Sequence, residues 1–271
     1  MQSPQVIQEL KSDVFGRIEL LDGPLGHVVR RVACGSRVPG SAILARILQR
    51  RERLALKHVT GIANVCQALD QAEFAAYRDA PSLTGEFPKP AHTLLRSWIP
   101  GCALQRAEQL PRDFFERLED LMHQVHQRGV CHNDLHKEPN VLVDEQGFPA
   151  LIDFQLSSHH PSRGRSYSTR VGEDLRHIDK HRRRYLRAMG GTDLSSGAAR
   201  HRSLLATLWM RLGKPIYNFI TRRLFRYQDG EERRMPAGPW PFWTPALGAL
   251  AVPATKLAKS CTPASESTDS G

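Results

Sequence analysis

The sequence predicts an α+β protein in two parts, a small antiparallel sheet with one helix followed by a mainly helical region. Three observations lead there. Short segments rich in β-branched and aliphatic residues open the chain, at Leu10 to Val14, Arg17 to Leu21 and His27 to Ala33. Turn residues separate them: Gly16, then Asp22-Gly23-Pro24 with Gly26, as in a meander. The later segments instead carry the 3.6-residue apolar period of helices, and strands first, helices after is the order of an α+β fold. The chain has 271 residues, enough for one two-part domain or two small ones.

The elements follow in order. From Ser41 to Lys57 a helix is expected, with Ile43, Leu44, Ile47, Leu48 and Leu54 on its buried face and Arg46, Arg50 and Arg53 largely off it. A proline-rich stretch, Pro81 to Pro90, precedes a short apolar segment from Thr93 to Ile99, which Pro100-Gly101 ends. A strong amphipathic helix is expected from Pro111 to Arg128, with Phe114, Phe115, Leu118, Leu121, Met122 and Val125 inward and Gly129 as its stop. Two short strands come next, Val141 to Val143 and Ala150 to Ile152, around a turn at Gly147. Further helices are expected at Glu173 to Met189 and about His201 to Tyr227. These divisions give an N-terminal lobe over 1–99, a C-terminal lobe over 100–259 and a disordered Ser/Thr/Pro-rich tail over 260–271.

Composition narrows the function. Hydrophobic residues at 40% and charged residues at 24% are those of a globular protein with a sizeable core. The formal charge of +10 points to an acidic partner, which could be nucleic acid, anionic lipid or a phosphorylated substrate. No zinc-finger or RNA-binding motif supports specific nucleic-acid recognition. The five cysteines are scattered without a C-x-x-C pair, which argues against a zinc site and a disulfide framework, and for a reducing, cytoplasmic setting. The start Met1-Gln2-Ser3-Pro4 lacks signal-peptide character, and the most apolar stretch, Trp240 to Ala254, is broken by three prolines. Late aromatics and cations, Trp209, Tyr217, Phe219, Arg222, Arg223 and Arg226 among them, fit either an ordinary core helix or peripheral contact with the inner face of an anionic membrane.

The chemistry concentrates between His132 and Gln155. There His132-Asn133-Asp134-Leu135-His136-Lys137-Glu138-Pro139-Asn140 leads into Val141-Leu142-Val143, and Ile152-Asp153-Phe154 follows. This ordered set resembles the protein-kinase-like superfamily, with its H-x-D loop, a nearby Asn, a hairpin and a D-F pair. The resemblance covers about residues 10–190 and is closest to bacterial serine/threonine-type, RIO-type and lipopolysaccharide-core kinases with a short activation segment. It implies a bilobal kinase fold that uses ATP and Mg²⁺. Asp134 would orient the acceptor hydroxyl, His132 would hold the loop, and Asn140 with Asp153 would bind Mg²⁺, a hard cation that prefers oxygen ligands.

The same resemblance reaches the first third. Gly16 matches the glycine-rich loop over the phosphates. His27 to Val32 resembles the third strand, with Arg30 in place of the phosphate-gripping lysine and Glu52 as its partner on the helix. Glu52 also lies among Arg50, Arg51 and Arg53, a run that equally suits a solvated face. Leu94 to Ile99, Trp98 included, resembles the hinge that meets adenine. Four departures stand out: Arg30 for lysine, Gln155 for the glycine after the D-F pair, one extra residue between Asp134 and Asn140, and a single glycine in the phosphate loop. They leave a second reading open, a pseudokinase acting as a scaffold, and Lys11 or Lys137 as replacements for the lysine. Asp174 could brace the catalytic loop or simply favour a helix N-terminus. The acceptor would be a protein serine or threonine or an anionic glycolipid, and Arg163, Arg165, Arg170, Arg176 and Lys180 to Arg184 would form a basic rim for it.

Overall fold

Period-two strands at the start do form an antiparallel sheet. A computed structural model describes residues 3–35 and 39–188 and a strand at 242–243. Strands β1 (Gln5–Asp13), β2 (Gly16–Asp22), β3 (Val28–Val32) and β4 (Thr93–Ser97) lie in the order β1-β2-β3-β4, each antiparallel to the next. Helix α1 (Ser41–His58) and the short α2 (Ala75–Asp79) lie between β3 and β4 in the chain. The expected helix at 201–227 and the tail at 260–271 lie outside the described residues.

The turn between β1 and β2 is two residues long, Val14 and Phe15, and Gly16 closes it. Gly16 has φ +144°, and a Cβ there would sit 2.0 Å from the Val32 carbonyl oxygen. Its lack of a side chain therefore lets β2 approach β3, a requirement independent of any phosphate.

Register decides which face each side chain takes. Glu19, Arg30 and Leu95 are aligned across β2, β3 and β4, and so are Ile18, Arg31 and Leu94 one residue on. On the first of these faces Leu21, Val28 and Leu95 pack with Tyr77 and Ala80, from α2 and the residue after it, in a small outer cluster. On the other, Leu94 joins the main core with Leu56 and Val59 of the α1 region.

That main core continues into the helical part. Strand β5 (Gly101–Ala103) pairs with the hairpin β8 (Val141–Asp144) and β9 (Pro149–Leu151). Helix α3 (Phe114–Gln127) buries Phe114, Phe115, Leu118, Leu121, Met122 and Val125, the face expected from its apolar period. Between them in the chain is the two-residue β6 (Leu110–Pro111), which Phe242–Trp243, our β11, joins in parallel. Strand β7 (Val130–Cys131) pairs with β10 (Ser158–His159) on either side of the H-x-D segment. The last described helix, α4 (Arg165–Ala188), starts eight residues before the expected Glu173 and buries Leu175, Ile178 and Tyr185. The fold class is the expected one, an antiparallel N-terminal sheet with helices in a kinase-like α+β arrangement.

Helix α1 contradicts its expected orientation. Ile43, Leu44, Ile47 and Leu54 are exposed, while Ser41, Ala45, Gln49, Glu52, Ala55 and Leu56 are buried. The apolar period was real but pointed outward, because the inner face carries small residues and the polar groups that meet the site.

Candidate active site

The loop after β7 is held from behind by one carboxylate. Asp174, fully buried in α4, accepts hydrogen bonds from the backbone N–H of His132 and of Asn133, both at 2.8 Å. His126 Nε2 lies 3.1 Å from the same carboxylate. Asp174 thus braces the loop from the middle of a helix rather than from its start. His126, Cys131 and Asp174 cluster closely enough for a metal. Burial and the Asp174 charge push the Cys131 thiol up to about 12, and both Asp174 oxygens already accept backbone N–H groups.

His132 ties this loop to the next one. Its Nε2 lies 2.9 Å from the Ile152 carbonyl, which can only accept, so Nε2 carries the proton. Its Nδ1 then accepts the Asp134 N–H at 3.3 Å. The ring packs against Phe154 with centroids 4.7 Å apart. Asn133 takes a left-handed φ of 64°, and its side-chain amide donates to the Leu156 carbonyl and Ser158 Oγ.

Asp134 and Asn140 are joined directly. Asn140 Nδ2 donates to Asp134 Oδ2 and to the Asp134 backbone carbonyl, each at 3.0 Å. Both residues are buried. The extra residue between them is absorbed in a single 3₁₀ turn over Glu138–Asn140. Glu138 is anchored there by the Tyr185 hydroxyl at 2.9 Å and by Arg184. His136 Nδ1 lies 3.0 Å from Asp134 Oδ1, and Lys137 Nζ lies 3.4 Å from Oδ2. Burial raises the Asp134 pKa, but His136, Lys137 and His132 outweigh it and hold the carboxyl below its ordinary value. The stability this contributes is present above the unfolded pKa near 3.9 and lost as pH falls through the lower folded one.

Asp153 follows β9 with φ 64° and ψ 66°, a left-handed conformation uncommon for a non-glycine residue. The Ile152 N–H donates to the Asn140 carbonyl at 3.1 Å, which brings Asp153 beside the catalytic loop. Asp153 Oδ1 is buried with no hydrogen-bond partner. An orphaned carboxylate oxygen next to an amide whose nitrogen is already committed to Asp134 is a donor set of hard oxygens. It fits Mg²⁺, with Asp153 and Asn140 as the residues that could hold it.

The strand β3 expectation is corrected by one residue. Arg30 does not meet Glu52. It is fully buried on the outer face, its Nε donating to Glu19 Oε2 at 2.7 Å and its Nη1 to the Tyr77 and Ala80 carbonyls. Glu52 is fully buried and accepts from Arg96 Nη1 at 2.5 Å, with Arg31 Nη1 at 3.9 Å. Arg31 also donates through Nη2 to Gln155 Oε1 at 2.8 Å. A one-residue shift along a strand exchanges faces, so Arg31, not Arg30, points at the helix and the metal loop. Lys11 sits on the exposed strand β1.

Arg31 and Arg96 were the residues that sequence reading missed. Arg31 is adjacent to Arg30 in the chain, and the sequence pattern does not separate the two. Arg96 had no local signal, since only the fold brings it within reach of Glu52, 44 positions away. Burial pushes the neighbouring Cys66 thiol up to about 12, so it stays protonated beside these charges.

Trp98 follows β4 and lines a pocket of about 340 Å³ with Asn64, Asp144 and Gln146, and Asp134, Asn140 and Asp153 do not line it. The basic rim is largely committed inside the chain. Arg176 pairs with Glu173, Arg182 with Glu119, Arg183 with Asp179 and Arg184 with Glu138. Arg170 lies against the catalytic loop, donating to Asn133 Oδ1 at 3.2 Å.

Known proteins resemble parts of this chain. Residues 17–161 match the phosphotransferase enzyme family designated APH, more than half of the chain. CBL-interacting serine/threonine-protein kinase 15 of Arabidopsis thaliana is 43% identical over 56 residues, 21% of this chain and 13% of that protein. A probable SapB synthase of Streptomyces coelicolor is 29% identical over 129 residues, 45% of this chain and 14% of that protein. The chain thus spans only about a seventh of the length of each relative. The matched segment runs from β2 to just past β10 and takes in Arg31, Glu52, Asp134, Asn140 and Asp153, and on this ground the chain belongs to the phosphotransferase enzyme family.

Proposed function

We propose that the chain transfers the γ-phosphoryl group of ATP to a hydroxyl, with Mg²⁺ held by Asp153 and Asn140. The observation that carries this reading is the joined pair Asp134–Asn140, set beside an Asp153 whose buried Oδ1 has no hydrogen-bond partner. Asp134 is kept ionised and accepts the proton of the acceptor hydroxyl. The hydroxyl oxygen then bonds to the γ-phosphorus, the bridge to the β-phosphate breaks, and ADP leaves. The bound metal would neutralise charge on the phosphate oxygens. His132 positions the loop, and residues 1–99 and 100–259 act as the two lobes around the nucleotide.

Arg31 takes the gripping role first assigned to Arg30. Arg31 and Arg96 share the single carboxylate of Glu52, and Arg31 Nη1 is buried without a hydrogen-bond partner. Arg96 is the closer partner of Glu52, so the unpartnered Arg31 Nη1 is the donor left to meet a phosphate. Arg31→Ala is expected to lower turnover about tenfold or more, which is about 1.4 kcal/mol of transition-state stabilisation. Unchanged turnover in steady-state assays of that variant would remove Arg31 from the mechanism.

The contact between Arg31 and Gln155 favours one alternative, a pseudokinase that keeps its grip occupied. Melting temperature separates the two readings. ATP is expected to raise it only with Mg²⁺ present, and Asp153→Asn to abolish the rise. No rise in the wild-type chain would favour the scaffold. The acceptor hydroxyl belongs to a protein serine or threonine or to a glycolipid. Arg170, beside the catalytic loop, is the rim cation best placed to favour an anionic one.

A further inference from the structure

Helix α1 turns its charged site residue inward and an apolar stripe outward. Ile43, Ile47 and Leu54 are 59%, 50% and 49% exposed. At 3.6 residues per turn these three lie within about 40° of one another, and Leu44 widens the stripe. Along one edge runs a second row, Arg46, Arg50, Arg53 and Lys57. The same four cations line a groove of about 390 Å³ together with Gln49, Leu54 and Ala91. Arg53 is held as its wall by the Thr93 carbonyl at 2.7 Å and by Asp70 at 3.6 Å.

We infer that this outer face of α1 docks the protein on an anionic lipid surface. The stripe and the cation row run side by side along one helix axis. A helix lying in a membrane interface needs that division, with apolar side chains entering the acyl boundary and cations at headgroup level. The net charge of +10 is complementary to an anionic leaflet. The groove is the size of a headgroup site and is lined by donors suited to phosphate. The face lies opposite buried Glu52, so docking leaves the catalytic cleft clear.

Sedimentation of the full chain with vesicles tests this. The chain is expected to bind vesicles of phosphatidylcholine with about one third phosphatidylglycerol, and not phosphatidylcholine alone. Ile43→Asn with Ile47→Asn, and separately Arg50→Gln with Lys57→Gln, are each expected to weaken the partition about tenfold or more. All four side chains are exposed, and unchanged melting temperatures would verify that both variants fold. Equal binding to both vesicle types, or undiminished binding by both variants, would overturn the proposal and place any lipid contact elsewhere in the chain. An oligomer that the Ile43/Ile47 variant disperses, without vesicle binding by the wild type, would overturn it in favour of a second copy of this chain.

Discussion

Asp134→Ala is expected to lower phosphotransfer turnover about 10³-fold while leaving the dissociation constant for Mg-ATP nearly unchanged, within the 10²–10⁴-fold range of a positioned proton acceptor. The carboxylate is buried, tied to Asn140 and flanked by His136 and Lys137, so its surroundings are arranged for an anion. Under the proposed mechanism, removing it takes away the group that would receive the hydroxyl proton. Glu52 with its two arginines, and Asp153, do not depend on it, and Asn140 keeps its hydrogen bond to the backbone carbonyl of residue 134. Steady-state turnover alongside equilibrium nucleotide binding checks the split. A variant that lost binding and turnover together would show that Asp134 holds the loop rather than the proton.

The second large effect is on stability. Glu19→Ala is expected to destabilise the fold by about 3–5 kcal/mol, because it leaves the fully buried Arg30 guanidinium without its carboxylate. Arg30 fastens the segment around α2 to the outer face of the sheet through the carbonyls of Tyr77 and Ala80. Arg17 also pairs with Glu19, at 2.9 Å, so one carboxylate serves two cations. Denaturant unfolding measures the difference. Arg30 substitutions are expected to follow the same pattern, lowering stability while leaving the turnover of the folded fraction intact. A loss below about 1 kcal/mol for Glu19→Ala would show that the backbone carbonyls alone suffice for Arg30.

The candidate catalytic segment stood out in the sequence because phosphoryl transfer needs particular residues at short spacings within loops. His132, Asp134 and Asn140 are neighbours in the chain, and Asp153 is one hairpin away. The register of β3 was not legible. All five residues of Val28–Val32 are buried, one face against the outer cluster and the other toward the cleft, so alternation in polarity gives no direction. Two adjacent arginines, each with a carboxylate waiting on its own side, made the choice ambiguous. Helix α1 misled for the opposite reason. Its apolar period is clear, yet the buried face carries, besides Leu56, the small or polar Ser41, Ala45, Gln49, Glu52 and Ala55. Periodicity locates a stripe, and only the packing says whether it faces the core. The brace by Asp174 needed α4 folded back against the loop, a contact across more than 40 positions.

Transfer of label from γ-labelled ATP into whole-cell extract, measured as Mg²⁺ is varied, tests the central claim most directly. The wild-type chain is expected to place label in a protein or glycolipid acceptor only when Mg²⁺ is present, and Asp153→Asn to place none. Label transferred equally by Asp153→Asn, or no label from the wild type at any Mg²⁺ concentration, would contradict it.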